Sequence, residues 1–469
     1  MAQDITIAGA QYPDVPALSI PLTGGGGNAT FVDTSDADAV AGDIASGKTA
    51  YVNGTKLTGT GSGGGVDVES LSVTSNGTYT APTGKAYSPV VVNVSGGGGS
   101  AERKDVNFYD YDGSIVASYT TAEFANIDAL PSNPSHTGLT AQGWNMPSNW
   151  TLANAKTYVA TNGKADWGQM YTTASGKTEI DVEFTDPNRL SPNMSLAVNG
   201  TVSIDWGDGS AATTVTGTSL TTRKGTGAHT YSAVGKYTIK VTAATGTTWG
   251  FLGSSAYLLL YKSSSANTSR VYSNCVQSVR IGAGCTSIGD YSFYYCASLA
   301  YVTIPNSVTS VGANIFNGCY AISHVTIPSG ITSIGNSLFY NCYSLASFSI
   351  PSSVTSMGTS IFYYCYALPC ANLPSGITSI GNSAFYNCYA LASITIPSGV
   401  TDIATKAFQN CYGLGSIHFK GSTPPSVAAS DAFTNVPTDC KIYVPTGKLS
   451  AYTSASNYPS SSTYTYIEE

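Results

Sequence analysis

The sequence predicts a mainly β, multidomain chain that ends in a solenoid of short parallel strands with short helices. Three observations carry this expectation. One 23-residue phrase repeats from about Ser278 to Lys420. Only 10% of residues are charged, well below the roughly 25% of ordinary soluble domains, and Gly (50), Tyr (32), Ser and Thr take their place. Finally, glycine-rich stretches at 61–65 and 96–99 punctuate a 469-residue chain that is long enough for several domains.

The repeat holds its register throughout. Phe recurs at Phe293, Phe316, Phe339, Phe362, Phe385 and Phe408, and Cys follows three later at Cys296, Cys319, Cys342, Cys365, Cys388 and Cys411. An aliphatic comes next at Leu299, Ile322, Leu345, Leu368, Leu391 and Leu414, and Pro closes each short apolar run at Pro305, Pro328, Pro351, Pro374 and Pro397. Units that never drift occupy equivalent environments, the mark of coils too small to hold a core alone. In the unit beginning at Leu391, Ile394 and Ile396 point inward and Ser393 and Thr395 outward, as in a strand. Pro397 stops that strand because it has no N–H to donate. Val400 and Ile403 begin the return side. The stretch 382–388 reads as one or two helical turns with Phe385 and Cys388 on one inward face. Stacked coils should rise ~5 Å each.

The phrase Ile377-Thr-Ser-Ile-Gly-Asn-Ser-Ala-Phe-Tyr-Asn-Cys388 resembles the BspA-type leucine-rich repeat. That resemblance implies a C-terminal leucine-rich-repeat solenoid in a surface adhesion or recognition protein, and leaves its target open.

Taken in order, residues 1–60 read as an opening module, with a short helix at 36–45 capped by Ser35 or Asp36 and a hairpin about Asn53-Gly54. Residues 66–95 form another small N-terminal β module, with a turn at Asn76-Gly77 and a strand from Val90 to Val94. The stretches DADAVAGDIASGKTAYVNGTKLTGTG and VESLSVTSNGTYTAPTGKAYSPVVVNVSGGGG resemble elements of phage and prophage tail and tail-fibre proteins of Gram-positive bacteria. Residues 104–170 open with a strand, an Asp-Gly turn and a strand. Asp110, Asp112 and Gly113 hint at a calcium loop, but its twelfth position is Thr121, so a hairpin turn is expected. This segment resembles the Listeria–Bacteroides repeat, a β-grasp-like wall module, and departs from it by a helix-prone insert from Thr120 to Leu130.

Residues 177–245 carry Val202-Ser-Ile-Asp-Trp-Gly-Asp-Gly-Ser210, His229-Thr-Tyr231 and Gly235-Lys-Tyr-Thr-Ile-Lys-Val241. These markers resemble the PKD-type immunoglobulin-like sandwich, which implies a spacer or weak surface contact. Residues 246–277 then lead into the solenoid as its N-terminal cap, and 278–430 hold the repeats. Residues 431–469, with CKIYVPTGKLSAYTSASNYP, resemble the closing cap that an open last coil requires.

Charge and motif content narrow the chemistry. A net charge of −7 and pI near 5.1 argue against a nucleic-acid partner, which would call for a basic stripe. No apolar run approaches ~18 residues, so no membrane span is expected. Disulfides would break the equivalence of the six repeat cysteines, so buried reduced thiols are expected there, with Cys370 on an outward strand position. No C-x-x-C pair offers metal ligands. Asp290 and Asp402 fall nearly five coils apart, roughly 20 Å or more, against the roughly 5–10 Å of a glycosidase carboxylate pair. His136, His229, His324 and His418 sit in no nucleophile motif. Asp205 and Asp208 read as turn formers. The chain is therefore expected to be no enzyme, with no catalytic residue, metal or cofactor.

Tyrosine is what the solenoid offers. Tyr340, Tyr363 and Tyr386 follow the inward Phe and should point out, and Tyr343, Tyr366 and Tyr389 follow the Cys. Stacked coils would turn both sets into ladders, rigid and hydroxyl-bearing, suited to a glycan or cell-wall polymer. Packing is the competing role for the Cys-following set. The strand face (His324, Thr326, Ser347, Ser349, Cys370, Asn372, Ser393, Thr395) is the rival surface. Met1-Ala-Gln-Asp-Ile-Thr-Ile lacks the basic-then-apolar pattern of an export signal. With the tail-like modules, this leads to the expectation of a phage tail-fibre or receptor-binding protein. It would be made in the host cytoplasm, reside in the virion tail, and join other tail proteins through its N-terminus. The solenoid would meet a host cell-surface glycan or protein. A homo-trimer is common among tail fibres, though no heptad signals one here. A bacterial surface adhesin and a tail-associated depolymerase are the alternatives.

Overall fold

The structure is a computed structural model. It describes residues 103–255, 259–261 and 272–469 in full and, before these, the backbone of eight short strands. The chain divides into two units, Met1–Gly99 and Ser100–Glu469. In the first, four antiparallel pairs form: Gln3–Ile7 (β1) with Ala10–Val15 (β2), Ala17–Pro21 (β3) with Asn28–Val32 (β4), Thr49–Val52 (β5) with Thr55–Thr58 (β6), and Gly77–Tyr79 (β7) with Val90–Val92 (β8). Val52 pairs with Thr55, and Asn53-Gly54, the turn that the sequence predicts there, lies outside the described residues. The helix expected at 36–45 and the turn residue Asn76 lie outside the described residues.

The second unit opens with a four-stranded sheet in the order β10 (Ile115–Tyr119), β9 (Val106–Tyr109), β12 (Ala165–Thr173), β11 (Leu139–Trp144). Its two central strands, β9 and β12, run parallel. The turn at Asp110–Ser114 is a hairpin, closed by Gly113 N–H to the Asp110 carbonyl at 3.1 Å and by the Asp112 carboxylate on Ser114 N–H. The helix-prone insert does form a helix, α1 (Thr121–Ala125), because Thr120 and Glu123 cap its first turn reciprocally. A second helix, α2 (Leu152–Asn162), is an addition to the sequence reading. Thr151 and Asn154 box its start and Gly163 ends it at φ 75°. Phe108, Phe124, Trp144 and Trp167 fill a core separate from the rest.

A long antiparallel ladder then feeds the solenoid. β14 (Asn193–Asp205) pairs along one edge with β15 (Thr213–Gly225). Its other edge takes β16 (Gly235–Ala243) at one end and β17 (Thr248–Phe251) at the other. Between them the chain loops out at 244–247, with Thr247 held over Gly200, where a Cβ would collide with it. Each half then starts a different sheet. β16 passes through β13 (Thr178–Phe184) to β19 (Val276–Arg280), and β17 pairs in parallel with β20 (Cys285–Ile288). The stretches read separately as 177–245 and 246–277 thus share one apolar core with the repeats, running from Ile180 to Tyr452. The WGDGS motif is a turn, with Asp205 and Asp208 accepting the amides of Gly207 and Ser210. Trp206 beneath it is fully buried against the His229 ring.

From β19 and β20 onward two rows of short parallel strands climb the rod. One passes through Tyr301–Thr303, His324–Thr326, Ser347–Ser349, Cys370–Asn372, Ser393–Ile396 and Ser416–Phe419. The other passes through Ser310–Val311, Ser333–Ile334, Ser356–Met357, Ser379–Ile380 and Asp402–Ile403. Every repeat Phe and Cys is buried, at most 1% exposed. The phenylalanines stack at 5.1–5.6 Å from Phe362 to Phe433, close to the expected rise. The cysteines are free thiols.

The segment expected as helical turns proves different. Ser383 and Asn387 adopt left-handed φ of 52° and 60°, so no helix can propagate. Instead Ser383, Phe385 and Asn387 donate their amides to Thr405, Ala407 and Gln409 of the next coil at 2.8–3.0 Å. A third coil-to-coil ladder replaces the helix, and it brings Phe385 and Cys388 to the same interior through a tight turn in which Cys388 N–H reaches the Phe385 carbonyl.

That carbonyl accepts a second bond. Each repeat Cys from Cys319 on points its S–H to the Phe carbonyl of the coil before: Cys319 to Phe293, Cys342 to Phe316, Cys365 to Phe339 and Cys411 to Phe385 at 3.1 Å, and Cys388 to Phe362 at 3.0 Å. The thiol is thus a small donor in a dry interior as well as an apolar filler. Cys365→Ala should therefore destabilise the chain by about 1–2 kcal/mol in chemical denaturation, from a small void and one lost hydrogen bond. Native labelling with a thiol reagent should spare the eight buried cysteines until the protein unfolds; rapid labelling of all ten would contradict this packing.

Candidate functional site

The third ladder sets the tyrosines. Tyr340, Tyr363 and Tyr386 each accept, at the backbone carbonyl, an amide from the coil before (Gly318, Asn341 and Tyr364, at 2.8–2.9 Å). Their Cα atoms are thereby pinned at coil spacing while the side chains turn outward. Ring stacking follows: Tyr340 to Tyr363 at 4.5 Å and 3°, Tyr363 to Tyr386 at 4.7 Å and 9°. All three remain half-buried. Within the row the ring faces between Tyr340, Tyr363 and Tyr386 are covered by their neighbours. Tyr364 stands edge-on beside Tyr363 at 4.5 Å, occupying the place that Asn341 and Asn387 hold in adjacent coils.

The Cys-following tyrosines form a second row: Tyr320 to Tyr343 at 4.8 Å, Tyr343 to Tyr366 at 5.1 Å, Tyr366 to Tyr389 at 4.8 Å. Here the structure corrects part of the expectation. Tyr366 and Tyr389 are only 2% and 5% exposed, because residues four from each Phe lean back over the coil; they serve packing and offer no ring face. Tyr343 is half-buried. Burial pushes the Tyr343 hydroxyl up to about 12, and burial together with adjacent hydroxyls raises Tyr340 and Tyr363. The flank thus stays uncharged, and no charged residue occurs between Tyr291 and Thr401.

The rival strand face has a different fate: the β9–β12 module sits on it. Asn145 donates to the carbonyls of Ile327 (2.9 Å) and Ser349 (3.2 Å), the Ser349 hydroxyl bonds the Asp166 carbonyl (2.8 Å), and Asn372 bonds the Asp166 carboxylate (2.7 Å), which also holds Arg103 at 2.6 Å. His324, Thr326, Ser347 and Ser349 are buried. Cys370 is half-buried near Arg103 and Asp166, its thiol raised to about 11 chiefly by burial. Ser393 and Thr395, one coil further, are half-exposed. Gly168 approaches Thr326 so closely that a Cβ would land within that side chain, and Gly113 packs on His324. The sequence carried no sign of this docking, since outward polar strand residues read the same whether they meet water or another module.

Among the described residues no three His, Cys, Asp or Glu side chains are arranged to hold a metal ion, and no helix is long and apolar enough to cross a membrane.

Residues 286–415 match the model of the BspA type leucine rich repeat region in six copies. Several solved structures are similar. A leucine rich cell surface protein from Faecalibacterium prausnitzii A2-165 is 28% identical over 38% of this chain and 62% of its own, with a TM-score of 0.28. A leucine rich repeat protein of T. pallidum is 27% identical over 34% and 84%, TM-score 0.30. One from Bacteroides ovatus is 25% identical over 42% and 56%, TM-score 0.34. The chain therefore spans less than two thirds of the first and third of these. No curated protein matches it.

Two measurements probe the docked face. Gly168→Ala should release the β9–β12 module, seen as faster proteolysis between 103 and 175 with the repeat core still protected; unchanged proteolysis would show the contact is not tight. His324 is fully buried, its Nδ1 against Ser347 Oγ (2.7 Å), its Nε2 against Thr326 Oγ1 (3.0 Å) and its ring against Tyr109. Burial lowers its pKa to about 4, with Asp112 opposing and Arg103 assisting. A depressed pKa favours the neutral ring, so its contribution is complete above about 6.5 and is lost as pH falls from 6.5 toward 4. The melting temperature should fall across that window, and His324→Gln should flatten the fall; parallel curves for both proteins would remove His324 as the cause.

Proposed function

We propose that this chain is a receptor-binding tail-fibre protein of a bacteriophage, which meets a bacterial surface through the tyrosine flank of its solenoid. The observation that carries the recognition role is the stacked row Tyr340–Tyr363–Tyr386, uncharged and outward, on a rod whose strand face is largely taken by the chain's own module. A buried row would be packing alone; these three rings are half-buried and stacked in one row. Support for the tail setting comes from the opening modules at 1–60 and 66–95, with their phage-tail-like phrases and glycine punctuation. Their part is attachment to other virion proteins. The tyrosine flank offers recognition chemistry, a rigid aromatic and hydroxyl array.

The full chain, labelled and incubated with a panel of intact Gram-positive bacteria, should bind at least one strain. The triple variant Tyr340→Ser, Tyr363→Ser, Tyr386→Ser should lose at least about tenfold of that binding with its circular dichroism unchanged, the loss of several interface aromatics being worth more than 1.4 kcal/mol. Retention of full binding by the folded variant would refute the flank's role. Immunogold detection on phage tails, rather than on a bacterial envelope, distinguishes the tail fibre from a surface adhesin.

A further inference from the structure

We infer that the ligand of the tyrosine flank is a linear, uncharged polysaccharide laid along the solenoid axis and held by several coils at once. This rests on the recognition role proposed above and narrows it. Three features of the geometry lead there. The first is equivalence: Tyr340, Tyr363 and Tyr386 occupy one position of successive coils, fixed by the same backbone bond, so the flank repeats a single contact instead of building one pocket. A ligand that itself repeats can use every copy, whereas a small molecule uses one and leaves the rest idle.

The second is what the rings expose. Near-parallel stacking at 4.5 and 4.7 Å consumes the internal ring faces, which are the apolar anchors a protein partner's hot spots would seek. What remains for a ligand is ring edges and phenol hydroxyls, which bond one another between Tyr340 and Tyr363 and between Tyr363 and Tyr364 and keep further donor or acceptor capacity. Hydroxyl-rich chains match that row unit for unit. The third is charge. From Tyr291 to Thr401 the sequence has no ionisable side chain other than phenol and thiol, both neutral at physiological pH, and the one buried His324. An anionic polymer would find no cation to pair with there. Individually weak contacts, linked through one ligand, add through effective concentration.

The test uses the full chain and size-graded fragments of the neutral polysaccharide released from a strain that the wild-type protein binds, titrated calorimetrically. Affinity should climb at least about tenfold from fragments of one repeat to fragments of four, and change little between about 0.05 and 0.5 M salt, since no charge pairing is involved. Tyr340→Phe, Tyr363→Phe and Tyr386→Phe, which keep the stack and remove one hydroxyl each, should weaken the long fragments by comparable factors with melting unaltered. Equal affinity for one-repeat and four-repeat fragments, loss confined to a single variant, strong weakening by salt, or cell binding abolished by protease and spared by periodate would each overturn the inference. If such results accompany a triple serine variant that still loses cell binding, the recognition role stands and only the polymer is wrong. If the triple variant binds cells normally, or no strain is bound, both fall.

Discussion

The constraint on which the solenoid depends is that the carbonyl of each repeat Phe from Phe293 to Phe385 is shared between two coils. It accepts the amide of its own coil's Cys, three residues on, and the S–H of the Cys in the next coil. A carbonyl in so dry an interior is costly to leave short of partners. Ala would leave a small void and donate nothing, and a larger donor would force neighbouring coils apart. The fixed Phe-x-x-Cys spacing is therefore a hydrogen-bonding rule as much as a packing rule. It gives cysteine a structural role in a chain whose ten thiols are all free.

A stack of equivalent coils has two open ends, and both are closed by departure from the repeat. At the start, the long β14 ladder is divided by the loop at 244–247, so that one strand pair seeds both parallel rows of the solenoid. At the finish, Tyr452 and Tyr458 lie over Phe419 and Phe433, and the strands Lys441–Val444 and Thr465–Glu468 extend the main row. Tyr452 is fully buried and its hydroxyl reaches the Gly421 carbonyl at 2.8 Å. The ends thus do chemically what the next coil would have done: cover a Phe and satisfy a carbonyl.

The repeated interior was legible because burial is periodic in sequence: the inward set of Phe, Cys, Ile and Leu could be named residue by residue, as could the strand at Ser393–Ile396 and the hairpin turn after Asp110. The misread helical turn at 382–388 has a definite cause. Its three-residue Phe–Cys spacing fits a helix and a tight turn equally well, and only the left-handed residues Ser383 and Asn387, permissive but not diagnostic types, decide between them. The docking of the β9–β12 module was hidden for another reason. It is made by side chains such as Asn145, Asp166 and Asn372 bonding backbone and one another across more than 180 residues, and polar residues carry no periodic imprint of what they will face. Of the candidate site, the outward Tyr340, Tyr363 and Tyr386 were readable from their neighbour Phe; the burial of Tyr366 and Tyr389 was not, because it depends on how far the turn after each Cys folds back.

Occupation of the strand face changes where function can reside. In an unencumbered solenoid the strand row offers the flattest polar surface, and His324, Thr326, Ser347 and Ser349 would be its centre. Here those side chains are buried beneath a module with its own core, through contacts that include a glycine too close for any side chain. A ligand competing for that surface would have to displace the Asn145 and Asp166 network and expose a neutral histidine. The tyrosine flank asks for no such displacement, since its outward edges are already set by backbone bonds that the fold cannot relinquish without losing the solenoid itself. Rigidity obtained in this way lowers the entropic cost of binding, and it ties the proposed recognition surface to the same coil-to-coil bonds that hold the rod together.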